Sequence, residues 1–212
     1  MKTRDRILQA SLLLFNERGE RNVTTNHLSA HLGISPGNLY YHFKNKSEIV
    51  YELFREYEAL VDGYLAIPEE QPLTLNELMF YLESVISGLW AYRFLHRDLE
   101  FLLESDPRLR TEYRAFTERC LEAIARILDG LAAGGVMQRQ DPALRDALAL
   151  NAWLVITNWM AYLKTKGFDG KLEPLQERLQ QVVYQVLTLQ IPYLMPAYRA
   201  DVEAIRQRFM PD

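Results

Sequence analysis

The chain has 212 residues, of which 49% are hydrophobic and 25% charged, enough for one large domain or a small domain joined to a larger one and too apolar for a disordered protein. Its single cysteine, Cys120, excludes a disulfide framework, and no Cys/His cluster has the spacing of a structural zinc site. The net charge of −4 is unevenly spread, with residues 1–47 at +4 and the remainder at −8, so an acidic chain carries a basic head. That asymmetry suits a small nucleic-acid-reading module on a body that DNA repels, although a solvated face produces it too. The charged start, Met1 to Ile7, runs into an amphipathic segment without the apolar core of a signal peptide. No apolar run reaches the ~18 residues of a membrane span. A cytoplasmic location with no membrane partner is therefore expected, and the Asn22-Val23-Thr24 sequon is read as chance.

Helical spacing runs throughout and no stretch alternates with period two between turn signals, so the fold class is all α. Ile7, Ala10, Ser11, Leu14 and Phe15 define a first helix stopping at Arg18-Gly19. Thr24 or Thr25 caps a short second helix through Leu28 to His31, closed by Gly33. Ser35-Pro36 restarts the chain into a third, to about Phe43, since proline at the first helical position loses no needed N–H. A fourth is expected from Ser47 to about Ala66, then a loop around Pro68 and Pro72, and a helix from Thr74 or Asn76 to Trp90. A short helix over Phe94 to Glu104 follows. Asp106-Pro107 caps a longer helix reaching Gly130 to Gly135, and Asp141-Pro142 caps another reaching Gly167. A last long helix spans Leu172 to about Leu189, with Pro192 and Pro196 bending the chain before a short tail helix.

Three short helices in the first 45 residues, the last two separated by the tight Leu32-Gly33-Ile34-Ser35 turn, have the layout of a helix-turn-helix. Leu28, Leu32, Ile34 and Leu39 would pack against Ile7, Leu14 and Phe15. Pro36, Gly37 and Asn38 would then stand at the end of helix three that enters the major groove first. Small residues there permit close approach. Asn38 suits base edges, and the Tyr40 ring suits a thymine methyl or a phosphate. Tyr41, His42 and Lys46 would hold the sugar-phosphate backbone, helped by the free N–H groups that open helix four.

The run from Thr24 to Lys46, above all the Leu32-Gly33 turn, Leu39-Tyr40-Tyr41-His42-Phe43 and Lys44-Asn45-Lys46, resembles the DNA-binding signature of the TetR family. The resemblance implies an N-terminal helix-turn-helix domain, residues 1–46, and a larger C-terminal helical domain, residues 47–212, for ligand binding and dimerisation. It implies a homodimeric repressor on a palindromic operator, released by a small, apolar or aromatic effector, and neither an enzyme nor a cofactor protein. On it, DNA contacts carry over to Thr25, Asn26, Pro36, Gly37, Asn38, Tyr40, Tyr41, His42 and Lys46. Asn26 replaces the basic residue often found at its position. The Tyr92 to Leu99 region with Leu103, Asp106-Pro107 and Tyr113 is similar to one C-terminal subgroup of the family.

In the body, aromatic and polar positions suited to an effector pocket are Met79, Ile86, Trp90, Phe94, Phe101, Tyr113, Phe116, Trp153, Asn158 and Tyr162, each equally compatible with solid core. Two stripes at four-three spacing suit near-parallel helix packing across a dimer: Leu148, Ala152, Val155 and Trp159, and Leu175, Leu179, Val182, Val186 and Leu189. Both could instead face their own core, but the helix after Asp141-Pro142, which carries the first stripe, is also apolar at Leu150, Leu154, Ile156 and Met160, more than one partner covers. His27 and His31 have metal-ligand spacing without a third ligand. His96-Arg97-Asp98 lacks the downstream Asn of a kinase loop, Gly130 and Gly134 read as a frayed helix end, and Cys120 reads as packing. The competing reading is a helical small-molecule carrier that keeps the head without using it.

Overall fold

The structure is a computed structural model that describes residues 2–68, 71–166 and 172–210, with side chains omitted over 172–179. The described chain is helical, its single β feature an isolated bridge between Met137 and Leu194. By packing it divides into two compact units, residues 1–60 with 91–114, and residues 61–90 with 115–212. The division does not follow the expected boundary after Lys46, because a later segment packs on the N-terminal helices.

The first unit opens with α1 (Thr3–Arg18), which ends where Gly19 takes a φ of 89°. α2 (Thr25–Leu32) starts in a reciprocal cap: Thr24 Oγ1 accepts from the His27 N–H, and His27 Nδ1 accepts from the Thr24 N–H. His27 is thus a capping residue. Among the described residues no group of three or more His, Cys, Asp or Glu could hold a metal. Gly33 ends α2 at φ 65°, a left-handed conformation that costs a side chain but not glycine. α3 (Pro36–His42) begins at Ser35, whose Oγ accepts from the Asn38 N–H at 3.2 Å. α4 (Lys46–Tyr64) is opened by Asn45 Oδ1, which accepts from Glu48, while Glu48 Oε2 accepts from Lys44. Ile7, Leu14, Phe15, Leu28 and Leu39 are buried as expected, whereas Leu32 and Ile34 are half-buried.

The helix expected over Phe94 to Glu104 is two, α6 (Arg93–Arg97) and α7 (Leu99–Ser105), broken at Asp98. α6 is clamped to the end of α1. Arg97 donates to the Phe15 and Asn16 carbonyls, Asn16 Nδ2 donates to the Ala91 carbonyl at 2.7 Å, and Asn16 Oδ1 accepts from the Phe94 N–H at 3.1 Å. Arg97 therefore satisfies the Asn16 carbonyl and adds a second donor to the Phe15 carbonyl, which already accepts from the Gly19 N–H, while complementing the negative pole of α1. α8 (Pro107–Ala133) starts at Asp106, whose Oδ1 accepts from Arg108 and Leu109.

The second unit contains α5 (Leu75–Ala91), opened by a Thr74/Glu77 capping box, and the later turns of α8. α9 (Pro142–Thr165) is capped by Asp141 Oδ1, which accepts from the Leu144 N–H. α10 (Leu172–Gln190) packs along α9, and α11 (Arg199–Gln207) closes the described chain. Gly130 and Gly134 are not a frayed end. They are well-formed helix and turn on which the segment before α5 crosses: the Leu73 N–H donates to Gly130 O at 2.8 Å, and a Cβ on Gly134 would overlap the Leu73 carbonyl. Cys120 is buried.

Candidate nucleic-acid interface

Because Ser35 and Pro36 fix the start of α3 and Leu39 anchors it in the core at 0% exposure, the helix presents the rest of its surface to solvent. Pro36, Gly37 and Asn38 are exposed, Tyr40 is 48% and Tyr41 85% exposed. A Cβ on Gly37 would meet only Ser35 Oγ at 3.9 Å, so the surface there is flat and open. Thr25 is half-buried and its Oγ1 lies 3.0 Å from Tyr40 Oη, tying the recognition surface to the first turn of α2. Asn26 stands exposed beside it. His42 is half-buried, its ring edge-on to Tyr41 at 5.1 Å. Eight of the nine expected contacts therefore share one accessible region of α2 and α3.

Lys46 is the exception. Its ammonium donates to the Glu20 and Val23 carbonyls at 3.0 and 3.1 Å and pairs with Glu20 Oε1 at 2.8 Å. All three donors are turned inward onto the turn between α1 and α2, where they hold that turn to the start of α4. Lys44, two residues earlier, is the exposed cation at this point. Arg4 is also committed, paired with Glu52 at 2.8 Å and lying over the Phe43 ring. Sequence reasoning missed Asn16 and Glu20, which with Arg97 set the position of α1 against its neighbours; both lie in the polar run from Asn16 to Asn22, where nothing local marks them.

The effector candidates do not converge. Phe94 is fully buried against Phe15, Phe101 lies 4.0 Å beneath the Arg21 guanidinium, and Tyr113 packs on Phe54, all in the first unit. In the second, Ile86 and Trp90 line a cavity of about 200 Å³ with Glu83, Gln180, Val183 and Phe209. Phe116 is core against the Trp153 edge, and Met79 is half-buried. Asn158 and Tyr162 are at the surface, the former donating to Leu154 O and the latter with its ring tilted against Trp159. In the first unit, His96 is buried with Nε2 2.9 Å from Tyr57 Oη, and burial pushes its pKa down to about 4. The His96-Arg97-Asp98 run is thus a structural clamp.

The expected dimer stripes are also shifted. Leu148, Ala152, Val182 and Val186 are buried by their own chain, and Val155, Trp159 and Leu189 are half-buried. The side chains of Leu175 and Leu179 lie outside the described residues. Ile156 and Met160 face the core, whereas Leu150, Leu154 and Tyr162 are 44%, 47% and 44% exposed on α9.

An all-helical chain with a solvent-facing second helix of a helix-turn-helix defines a DNA-binding regulator of that class. Residues 7–53 match the family description "Bacterial regulatory proteins, tetR family", and residues 56–202 match "Bacterial transcriptional repressor" of the TetR type. The chain belongs to the TetR family of transcriptional regulators. It is 62% identical to a TetR-family transcriptional regulator from Marinobacter aquaeolei VT8 whose crystal structure superposes with a TM-score of 0.92, covering 100% of both chains. An HTH-type transcriptional regulator of Staphylococcus aureus (strain MRSA252) is 26% identical over 60% of this chain and 81% of its own. At 18% identity the fold alone is shared with SmeT, the repressor of the Stenotrophomonas maltophilia multidrug efflux pump SmeDEF, with a TM-score of 0.62 over 92% of each chain. SmeT has also been solved as a triclosan complex. Among the described residues no helix is long and apolar enough to cross a membrane.

Proposed function

We propose that the chain is a ligand-responsive repressor that binds a palindromic operator as a homodimer and is released by a small, apolar or aromatic effector. The observation that carries this reading is the open N-terminal end of α3, where Pro36, Gly37, Asn38 and Tyr40 are exposed on a helix anchored by Leu39. Asn38 and Tyr40 read base edges, Asn26 contributes from α2, and Thr25 sets the Tyr40 hydroxyl. Tyr41, His42 and Lys44 hold phosphates, Lys44 taking the place first assigned to Lys46. Residues 1–46 read DNA, and residues 47–212 hold the effector and the dimer contact. Two such units match the two-fold symmetry of an operator when their recognition helices stand about 34–36 Å apart, one turn of duplex.

For the dimer, the exposed apolar side of α9 supports a second copy seated on Leu150, Leu154 and Tyr162, where exposed hydrocarbon of this extent favours a protein partner. For the effector, Ile86 and Trp90 are the two candidates that share one cavity, between α5 and α10, and the triclosan bound to SmeT is a precedent in this fold for an aromatic ligand. Gel-shift titration with DNA from upstream of the chain's own gene, at rising salt, tests the reading. A specific complex that weakens steeply with salt is expected. Binding no tighter than to unrelated DNA at every salt concentration contradicts it.

A further inference from the structure

Within the second unit the cavity of about 200 Å³ lies between one face of α5 and α10, and the segment after α11 completes it. Glu83, Ile86, Ser87 and Trp90 recur at three- and four-residue spacing and so line it from one side of α5, while Gln180 and Val183 line it from α10. Phe209 supplies the remaining wall. α11 carries it there: Val202 is buried, and Arg206 donates to Thr188 Oγ1 on α10 at 3.0 Å and to Glu203 Oε2 at 2.7 Å. The apolar part of the wall is made by the buried Ile86 and Val183 and the half-buried Trp90 and Phe209 rings. Glu83, Ser87 and Gln180 are exposed at the mouth, so a ligand reaches them from solvent.

We propose that this cavity takes a small aromatic cation, its ammonium beside the Glu83 carboxylate and its ring against Trp90 and Phe209. With the cavity taken as the effector site proposed above, the chemistry of its wall fixes the sign of the ligand's charge. Glu83 is the one charged residue of the lining, and Ser87 and Gln180 are neutral. Among the described residues Glu83 has no ion-pair partner. Of the arginines nearby, Arg206 is held by Glu203 and Thr188, and Arg208 is exposed with its guanidinium 5.8 Å from the Phe209 ring centre; neither lines the cavity. An anion would meet Glu83 with no compensating charge in the wall, whereas a cation gains from the carboxylate and from the negative faces of aromatic rings. The volume lies below the ~300 Å³ at which pockets for drug-sized ligands begin, which sets the ligand at a single ring with a short arm.

The test titrates the full chain at neutral pH with benzylammonium, benzyl alcohol and phenylacetate, one ring with a cationic, a neutral or an anionic arm, and follows the indole N–H signal of Trp90 and the amide signal of Phe209 by NMR. Saturable shifts at both signals are expected, with benzylammonium bound about fivefold tighter than benzyl alcohol and phenylacetate weakest. Glu83→Gln removes most of that preference and leaves the affinity for benzyl alcohol unchanged. Phe209→Ala weakens benzylammonium and benzyl alcohol alike. Glu83 is exposed and Phe209 is half-buried beyond the last helix, so both variants keep the fold. Equal binding of benzylammonium and benzyl alcohol, a preference that survives Glu83→Gln, or full binding in Phe209→Ala would each overturn the proposal while leaving the cavity an effector site. Shifts confined to other signals, or none that saturates with any of the three compounds, would overturn the proposal and the effector site together. The titration contains no DNA, so its outcome is independent of whether the chain reads an operator.

Discussion

α3 and α9 both put side chains into solvent that an isolated chain has no use for, and the two sets have opposite chemistry. On α3 the exposed groups are an amide, phenol hydroxyls and residues too small to obstruct, held on a helix whose only fully buried residue is Leu39. On α9 the large apolar ones are Leu150, Leu154 and Tyr162, beside the amides of Asn151 and Asn158, on a helix whose opposite side, including Leu148, Ala152, Ile156 and Met160, is buried in its own unit. Groove edges and phosphates require the first kind of surface, and a protein face requires the second. Exposure alone therefore does not name a partner; the hydrogen-bonding capacity of what is exposed does.

The strongest way to break this contrast is to make α9 resemble α3. Leu150→Glu with Leu154→Glu is expected to turn a dimer into monomers in sedimentation equilibrium, at a cost on the order of 5 kcal/mol of association. Helix content should hold, since neither leucine is buried in the single chain. A dimer that survives the double change would remove α9 as the contact.

Next come the two lysines at the edge of the reading surface. Lys46→Ala leaves the buried Glu20 carboxylate unpaired and is expected to lower unfolding free energy by about 3 kcal/mol in urea melts. Lys44→Ala should leave stability unchanged and make the salt slope of DNA binding shallower by about 1. The reverse pattern would restore Lys46 to the interface.

Acid should separate the two regions as well. His96 is held neutral in the fold with a pKa of about 4 against an ordinary value of 6.5, so the unfolded chain takes up the proton first. Its contribution is complete above pH 6.5 and declines as the pH falls toward 4, about 3 kcal/mol in all. Unfolding titrations at pH 7 and pH 5 should show this loss, and His96→Gln, which keeps a partner for the Tyr57 hydroxyl, should flatten it. Association through α9 should not follow this titration.

What could be read from the chain itself was the part that short-range chemistry decides. Thr24, Gly33 and Ser35-Pro36 fix the ends of α2 and α3 from within a few residues, and the exposed positions of α3 follow from those ends. The direction of Lys46 has no local sign, because the carboxylate that captures it is 26 positions away and its place is settled only when the turn after α1 packs. Phe94 and Tyr113 read as pocket lining because nothing local reveals that α6 packs on the end of α1 or that α8 brings Tyr113 against Phe54. On α9, apolar residues fall on every side, so periodicity left the buried and exposed stripes indistinguishable. Gly130 and Gly134 carry no sign in the sequence of the strand of chain that crosses them at Leu73.

The most direct measurement of the DNA-reading claim is fluorescence anisotropy of wild type and Asn38→Ala on operator and on scrambled DNA at one salt concentration. Asn38 on a base edge predicts that the ratio of the two affinities falls by roughly tenfold, about 1.4 kcal/mol, with binding to scrambled DNA unchanged. An unchanged ratio, with both affinities intact, would contradict the assignment of α3 as the helix that reads the operator.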